Sequence, residues 1–256
     1  MNSSNPFPFS LDQRVALITG GGTGLGLGIA TAMAQAGATV VIVGRRAEVL
    51  EQAVASIGPR ADFIIHDVDR TADAPALVAE ILRRHGRIDI LVNNAGIHLK
   101  KRVQDISEEE FFRVLSTHVL GAHALTRACL NDMTSRGDGV VINIASMASL
   151  FGIPLVTAYS AAKCALVGMT RTLSTELGPV GIRVNAIAPG WIDSEMMRKA
   201  VDSDPERKRK ILGRTPLNRF GSASDIGAAA VYLASPAGAF VTGVVLPVDG
   251  GASIGF

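Results

Sequence analysis

The sequence predicts an α/β fold in a single domain, on three observations. Arg14-Val15-Ala16-Leu17-Ile18-Thr19 is an apolar run of strand length, a cluster of glycines follows it, and Gly24 to Ala36 reads as a helix, so together they open a βαβ unit. Later apolar runs of strand length alternate with helical stretches in the same way. The 256 residues contain no repeat, linker or low-complexity segment, and α/β chains of this length commonly stay one domain with a substantial core.

Bulk properties exclude several function classes. The formal net charge is only +2, which argues against a nucleic-acid footprint. The two cysteines, Cys129 and Cys164, form no Cys-x-x-Cys pair and no ligand cluster with histidine, so neither a disulfide nor a metal is expected, and both read as reduced core thiols. The start, Met1 to Phe9, lacks the basic and apolar regions of a signal peptide. No apolar run approaches the roughly 20 residues that span a bilayer. The expectation is a cytoplasmic protein without a membrane anchor, with residues 1–10 as a flexible arm.

Between the first strand and its helix lies Thr19-Gly20-Gly21-Gly22-Thr23-Gly24-Leu25-Gly26. Glycines here allow a sharp turn and close backbone approach to a pyrophosphate, while the helix N-terminus points free N–H groups at the anion. The second strand, Ala38 to Val43, ends in Gly44-Arg45-Arg46 with no acidic residue before Glu48. An acid near this point accepts from the ribose hydroxyl of NAD, whereas arginine suits the 2′-phosphate of NADP. Arg45 and Arg46 therefore point to NADP, with NAD possible.

The third strand is expected over Phe63 to Val68, a helix over Ala74 to His85, and a strand over Ile88 to Val92 that runs into Asn93-Asn94-Ala95-Gly96. Ile97 to Arg102 follows at the strand end where substrates enter an open α/β sheet, and Lys100, Lys101 and Arg102 could hold an anionic substrate. A long helix is expected from Phe111 to Met133, with His118 inside it. A further strand, Val140 to Ala145, is followed by Ser146.

Tyr159 and Lys163 lie four residues apart in an Ala-rich helical run, so both emerge on one face. A free phenol has a pKa of about 10, leaving on the order of one in a thousand ionised at neutral pH. A nearby ammonium favours the phenolate and would make Tyr159 a usable acid or base. Ser146, at a strand end, could hydrogen-bond a substrate oxygen as charge develops on it. After this helix, Gly181 to Ala188 reads as a strand ending in Pro189-Gly190-Trp191-Ile192-Asp193-Ser194. A helix over Ser224 to Ala234, capped by Ser224 and Asp225, and a strand over Val244 to Val248 complete the chain.

The glycine turn in its Thr-Gly-x-x-x-Gly-x-Gly form, Asn93-Asn94-Ala95-Gly96, Ser146 with Tyr159 and Lys163, and Pro189-Gly190 come in the order in which they occur in the short-chain dehydrogenase/reductase family. The chain resembles that family over Leu11 to Gly251. The resemblance implies one Rossmann-type domain, a doubly wound parallel sheet of about seven strands with helices on both faces. It implies that Ser146 orients a carbonyl or hydroxyl, that Tyr159 passes the proton, and that Lys163 tunes Tyr159 and holds the ribose. The implied cofactor-binding residues are Gly20, Gly22, Thr23, Gly24, Leu25, Gly26, Arg45, Arg46, Asp67, Val68, Asn94, Ala95, Gly96, Tyr159, Lys163, Pro189, Gly190, Ile192 and Ser194. Residues 191–215 would form a substrate lid, and the usual assembly would be a homotetramer.

His118 departs from the pattern, since it stands where family members carry an asparagine. An imidazole there could relay protons and, titrating near neutrality, would add an ionisation to the activity profile. The implied reaction moves hydride between nicotinamide and a carbonyl or secondary alcohol. A sugar, polyol or sugar acid is the first expectation for the substrate, because Gly44-Arg45 and the cations after Asn94 resemble gluconate 5-dehydrogenase-type members. A 3-oxoacyl-thioester reductase is the second, and a non-catalytic cofactor-binding regulator the third.

Overall fold

The computed structural model describes residues 7–193 and 204–255. Strands β1 (Val15–Thr19), β2 (Thr39–Gly44), β3 (Ala61–Ile65), β4 (Ile90–Asn93), β5 (Gly139–Ile144), β6 (Ile182–Pro189) and β7 (Val245–Val248) pair in the order β3-β2-β1-β4-β5-β6-β7. Every pairing is parallel. Parallel strands need crossovers, and α1 (Gly24–Gln35), α2 (Ala47–Ile57), α3 (Ala74–His85), α4 (Glu108–Leu115), α5 (Gly121–Arg136), α6 (Thr157–Leu177), α7 (Pro205–Gly213) and α8 (Ala223–Ala234) lie between or beyond them. The expected Rossmann-type sheet of seven strands is present.

Alternation along the strands builds two core layers. Ala16, Ile18, Val40, Ile42, Val92 and Ile142 pack with Ile29 and Met33 of α1 and with Ile226 and Ala230 of α8. Leu17, Val41, Leu91, Val141 and Val184 turn to the other face and meet Leu77 and Ile81 of α3 and Leu125, Cys129 and Met133 of α5. Strand order reverses between β1 and β4. In open α/β sheets the crevice at such a reversal, beyond the carboxyl ends of the strands, is where ligands bind.

Four local expectations change. The third strand ends at Ile65, opposite Gly44, the last residue of β2. Beyond it Asp67 turns the chain by accepting the Asp69 N–H at 3.2 Å. The cap of α8 is Ser222, whose hydroxyl accepts from Asp225 N while the Asp225 carboxylate receives the Ser222 N–H. Cys129 is buried but Cys164 is exposed on α6, because the neighbouring Ala162, Lys163 and Leu166 take the inward face. The helix expected over 111–133 is instead α4 and α5 joined through a wide π turn, Ser116–Leu120.

Residues 7–10, the described part of the expected arm, lie against the body of the protein. Ala237 N donates to Pro8 O at 2.9 Å, and the Phe9 and Tyr232 rings are 6.4 Å apart. The segment 191–215 is described only at 191–193 and 204–215. Among the described residues, no helix is long and apolar enough to cross a membrane.

Candidate active site

At the carboxyl end of β1 the chain must turn within a few residues, and Gly20 does so at φ +64°. The Asn94 side chain, from the end of β4, braces the turn by donating to Thr19 O at 2.8 Å and Gly20 O at 3.3 Å. The Thr19 hydroxyl accepts the Asn94 and Ala95 N–H groups, each at 2.9 Å. The turn is so close-packed that a Cβ on Gly26 would lie 2.2 Å from Gly20 O and 2.6 Å from Asn94 Nδ2. Gly26→Ala is therefore expected to displace the turn and weaken dinucleotide binding at least tenfold, which a fluorescence titration with NADPH would read; unchanged affinity would refute this account.

The N-terminus of α1 is open to an anion. Thr23 makes no side-chain cap and the first turn carries no acidic residue, which leaves N–H groups and the positive end of the helix dipole available. A cleft beside it is lined by Gly20, Gly22, Thr23, Arg45, Arg46, Asp67, Val68, Ala95 and Gly96. Nine of the expected cofactor residues thus share one cavity. Gly24, Leu25, Gly26 and Asn94 support the turn without lining it, and the Leu25 side chain packs on the core. Arg45 Nη1 is 4.0 Å from Asp67 Oδ2 across the cleft. Arg113 and Thr117 also line it. Neither was legible in sequence, because it is the path of the helices after β4 that brings them there.

Ser146 follows β5 by two residues, and Ala145 N donates to Ile187 O of β6 at 2.8 Å. Ser146 and Pro189-Gly190 are thereby set on one edge of the sheet. The Ser146 hydroxyl accepts from Ala148 N at 3.1 Å and lies close enough to Tyr159 to act on its ionisation. Lys163 is buried one helical turn after Tyr159, its Nζ donating to Ile144 O at 2.5 Å and lying 5.5 Å from the Tyr159 ring centroid. Burial raises the Tyr159 pKa, with the Ser146 hydroxyl opposing it. The expected lowering by Lys163 is not found, because the ammonium is drawn to the end of β5.

Burial pushes the Lys163 pKa down to about 7 from 10.5. The unfolded chain then binds more protons than the folded one between those values. The stability of the free protein should rise with pH through this window, and the full burial penalty should stand below it. Unfolding midpoints of the wild type and Lys163→Met should show the wild type gaining on the variant as pH rises; parallel curves would contradict the assignment.

The π turn directs His118 into the interior, 3 % exposed. Its ring meets Tyr159 edge-on at 5.5 Å, and its Nε2 sits 2.8 Å from Ile97 O. Gly96 makes room for it, since a Cβ there would lie 2.0 Å from the imidazole. Burial first, then Lys163, push its pKa down to about 3. His118 is therefore neutral at physiological pH, and the expected extra ionisation near neutrality does not arise. Its Nδ1 is buried without a hydrogen-bond partner.

Of the three cations after Ile97, Lys101 is paired with Glu110, and Lys100 and Arg102 are exposed. Gly190 N donates to Val248 O at 3.0 Å, and Ile192 bridges Gly221. Ser194 lies outside the described residues. A buried polar chain behind the site was not legible in sequence: Asn93 Nδ2 donates to Asn143 Oδ1 at 2.9 Å, and Asn143 Nδ2 to Thr170 Oγ1 at 2.9 Å.

This geometry has counterparts among known proteins. The family model described as Enoyl-(Acyl carrier protein) reductase matches residues 20–253. The 2-dehydro-3-deoxy-D-gluconate 5-dehydrogenase of Bacillus subtilis is 41% identical over 245 residues, 95% of this chain and 96% of that protein. The 3-oxoacyl-(acyl-carrier-protein) reductase of Chlamydia muridarum is 37% identical over 245 residues, 94% of this chain and 98% of that one. The crystal structure of a gluconate 5-dehydrogenase from Burkholderia cenocepacia J2315, in complex with NADP and tartrate, superposes with a TM-score of 0.91 at 35% identity, covering 97% of this chain and 98% of that one. The chain belongs to the short-chain dehydrogenase/reductase family and is an oxidoreductase.

Proposed function

We propose that the chain is an NADP(H)-preferring oxidoreductase that interconverts a secondary alcohol and a carbonyl on a sugar, polyol or sugar acid. The observation that carries this reading is the convergence of Ser146, Tyr159 and Lys163 at the sheet edge next to the braced glycine turn. The nicotinamide, when bound, supplies or accepts the hydride. Gly20, Gly22, Thr23 and the first-turn amides of α1 would hold the pyrophosphate; Arg45 and Arg46 would hold a 2′-phosphate; Asp67 and Val68 would flank the adenine. Pro189 to Ile192, with Ser194, would face the nicotinamide amide.

On the substrate side, Ser146 would donate to the reacting oxygen and Tyr159 would give it a proton during reduction or take one during oxidation. Lys163, anchored to Ile144 O, would hold the ribose. His118, edge-on to Tyr159 on its buried side, would be the group placed to relay a proton behind the phenol. Residues 191–215 would cover the substrate. A homotetramer is the assembly that the family resemblance implies.

The NADP preference is supported by the two cleft arginines and by the NADP in the Burkholderia structure. The substrate class is supported by the Bacillus relative and by the tartrate in the same structure. The second reading, a 3-oxoacyl-thioester reductase, is favoured by the Chlamydia relative. A panel of gluconate, polyols and a 3-oxoacyl thioester, followed by nicotinamide absorbance with each cofactor, separates the two. Turnover of gluconate or a polyol with NADP is the expected result; turnover of the thioester alone would replace the first reading with the second.

A further inference from the structure

Tyr159 has a second aromatic neighbour that no part of the reaction above uses. The His98 ring lies 5.0 Å from the Tyr159 ring, tilted by 40°. His118 approaches the same phenol from the buried side, whereas His98 is exposed. The two imidazoles therefore flank Tyr159, with His98 towards solvent. A molecule presenting an oxygen to Tyr159 and Ser146 from that side passes against His98.

The loop carrying His98 is tied down at both ends of the short stretch around it. Ile97 is held at its backbone by His118. Lys101 N donates to Leu155 O at 2.9 Å, joining the loop to the segment that leads into α6, and the Lys101 ammonium is paired with Glu110. Among the described residues the His98 side chain has no hydrogen-bond partner of its own. Partial desolvation of the ring, then Lys100, hold its pKa below the ordinary value of 6.5. A neutral imidazole offers one donor and one acceptor. That pair matches a hydroxyl, which also gives and receives, better than it matches a methylene.

We infer that His98 is a specificity residue that reads a hydroxyl group on the carbon next to the reacting one, so that the substrate is a vicinal diol or an α-hydroxy ketone. This rests on the redox reading above and deepens it. Polyols, sugars and sugar acids carry such a hydroxyl. A 3-oxoacyl thioester carries methylenes on the carbons flanking its ketone and leaves His98 unmatched, which separates the two substrate readings by a single side chain. A site built to hydrogen-bond a hydroxyl discriminates strongly against the analogue lacking it, since its polar group is then left unpaired.

Acetoin and butan-2-one differ by that one hydroxyl. The wild type, reducing each with NADPH, is expected to prefer acetoin. His98→Phe keeps a ring against Tyr159 but loses both polar atoms, and should lower the acetoin to butan-2-one ratio of kcat/KM about tenfold. His98→Gln retains a donor and an acceptor and should keep most of the ratio. Absence of a wild-type preference, a ratio unchanged in His98→Phe, or equal loss in the Phe and Gln variants would overturn the inference. So would failure to reduce either ketone. In that case continued oxidation of gluconate leaves the redox reading standing, and inactivity on every alcohol removes both.

Discussion

Tyr159→Phe lowers kcat by about 10²–10⁴-fold, the range for loss of a positioned acid or base, and leaves NADPH binding within a few-fold of wild type. Phenylalanine preserves the ring that packs against His98 and His118, so the fold and the cleft persist. What is lost is the hydroxyl that Ser146 engages and that has no substitute among the described residues nearby: Lys163 is drawn to Ile144 O, and His118 is buried behind the phenol. Steady-state assays on the best substrate, together with a fluorescence titration of NADPH, check both halves. A kcat within tenfold of wild type would move proton transfer to another group. Loss of binding together with turnover would make Tyr159 a structural residue. A wild type that binds the cofactor but turns over no alcohol or ketone would favour the regulator reading.

Asp89→Ala destabilises the protein by about 3 kcal/mol, the lower end of the range for stripping one partner from a buried ion cluster. Asp89 is fully buried at the amino edge of the sheet, opposite the site. Its carboxylate accepts Arg87 Nε at 2.8 Å, Arg136 Nη1 at 2.8 Å and the Val15 N–H at 2.8 Å, with Arg14 Nη1 at 3.4 Å. Removing it leaves three guanidinium groups converging on an apolar methyl and one backbone donor unmatched. The arginines retain 24–38% exposure, and the water that reaches them holds the loss at the lower end. Asp89→Asn, which keeps an acceptor for Val15 without the charge, should fall between wild type and alanine. Urea unfolding midpoints read the series; a shift below 1 kcal/mol in the alanine variant would show that the cluster is dispensable.

Much of the fold was legible because it rests on local signals. The strand runs are apolar on both faces, as a doubly covered sheet requires, and the glycine turn announces the first crossover. The three residues Ser146, Tyr159 and Lys163 were legible as a set. The electrostatics among them were not, because helical spacing places two side chains on one face but does not say where a long one ends, and Lys163 reaches back to a carbonyl at the end of β5. The state of His118 was hidden for a similar reason: its residue type suggests titration near neutrality, while its depth, set by the wide turn, pushes its pKa well below that range. Asn94 illustrates the opposite case. The resemblance implies a cofactor-facing residue, and its amide also braces Thr19 O and Gly20 O, a structural role that the sequence did not announce. His98 carries no sequence signal at all, since nothing in Ile97-His98-Leu99 shows that the loop returns over the Tyr159 ring.

The Ser116–Leu120 turn has one further implication for the history of such a chain. A π turn holds one residue more than the rod around it needs, and each residue in an α-helix advances the azimuth by about 100°. Deleting a single amino acid from that turn would let α4 and α5 fuse into one straight cylinder with little change of azimuth between them, because the wide turn already absorbs the surplus residue. The buried stripe of α5, including Ala122, Leu125, Cys129 and Met133, could then stay against the sheet, and the loss would fall on the turn itself, which carries His118 into the interior. A deletion there is thus expected to spare the helix pair and disturb the contact of His118 with Tyr159, whereas a deletion in the regular turns of α5 would swing its stripe by about 100°.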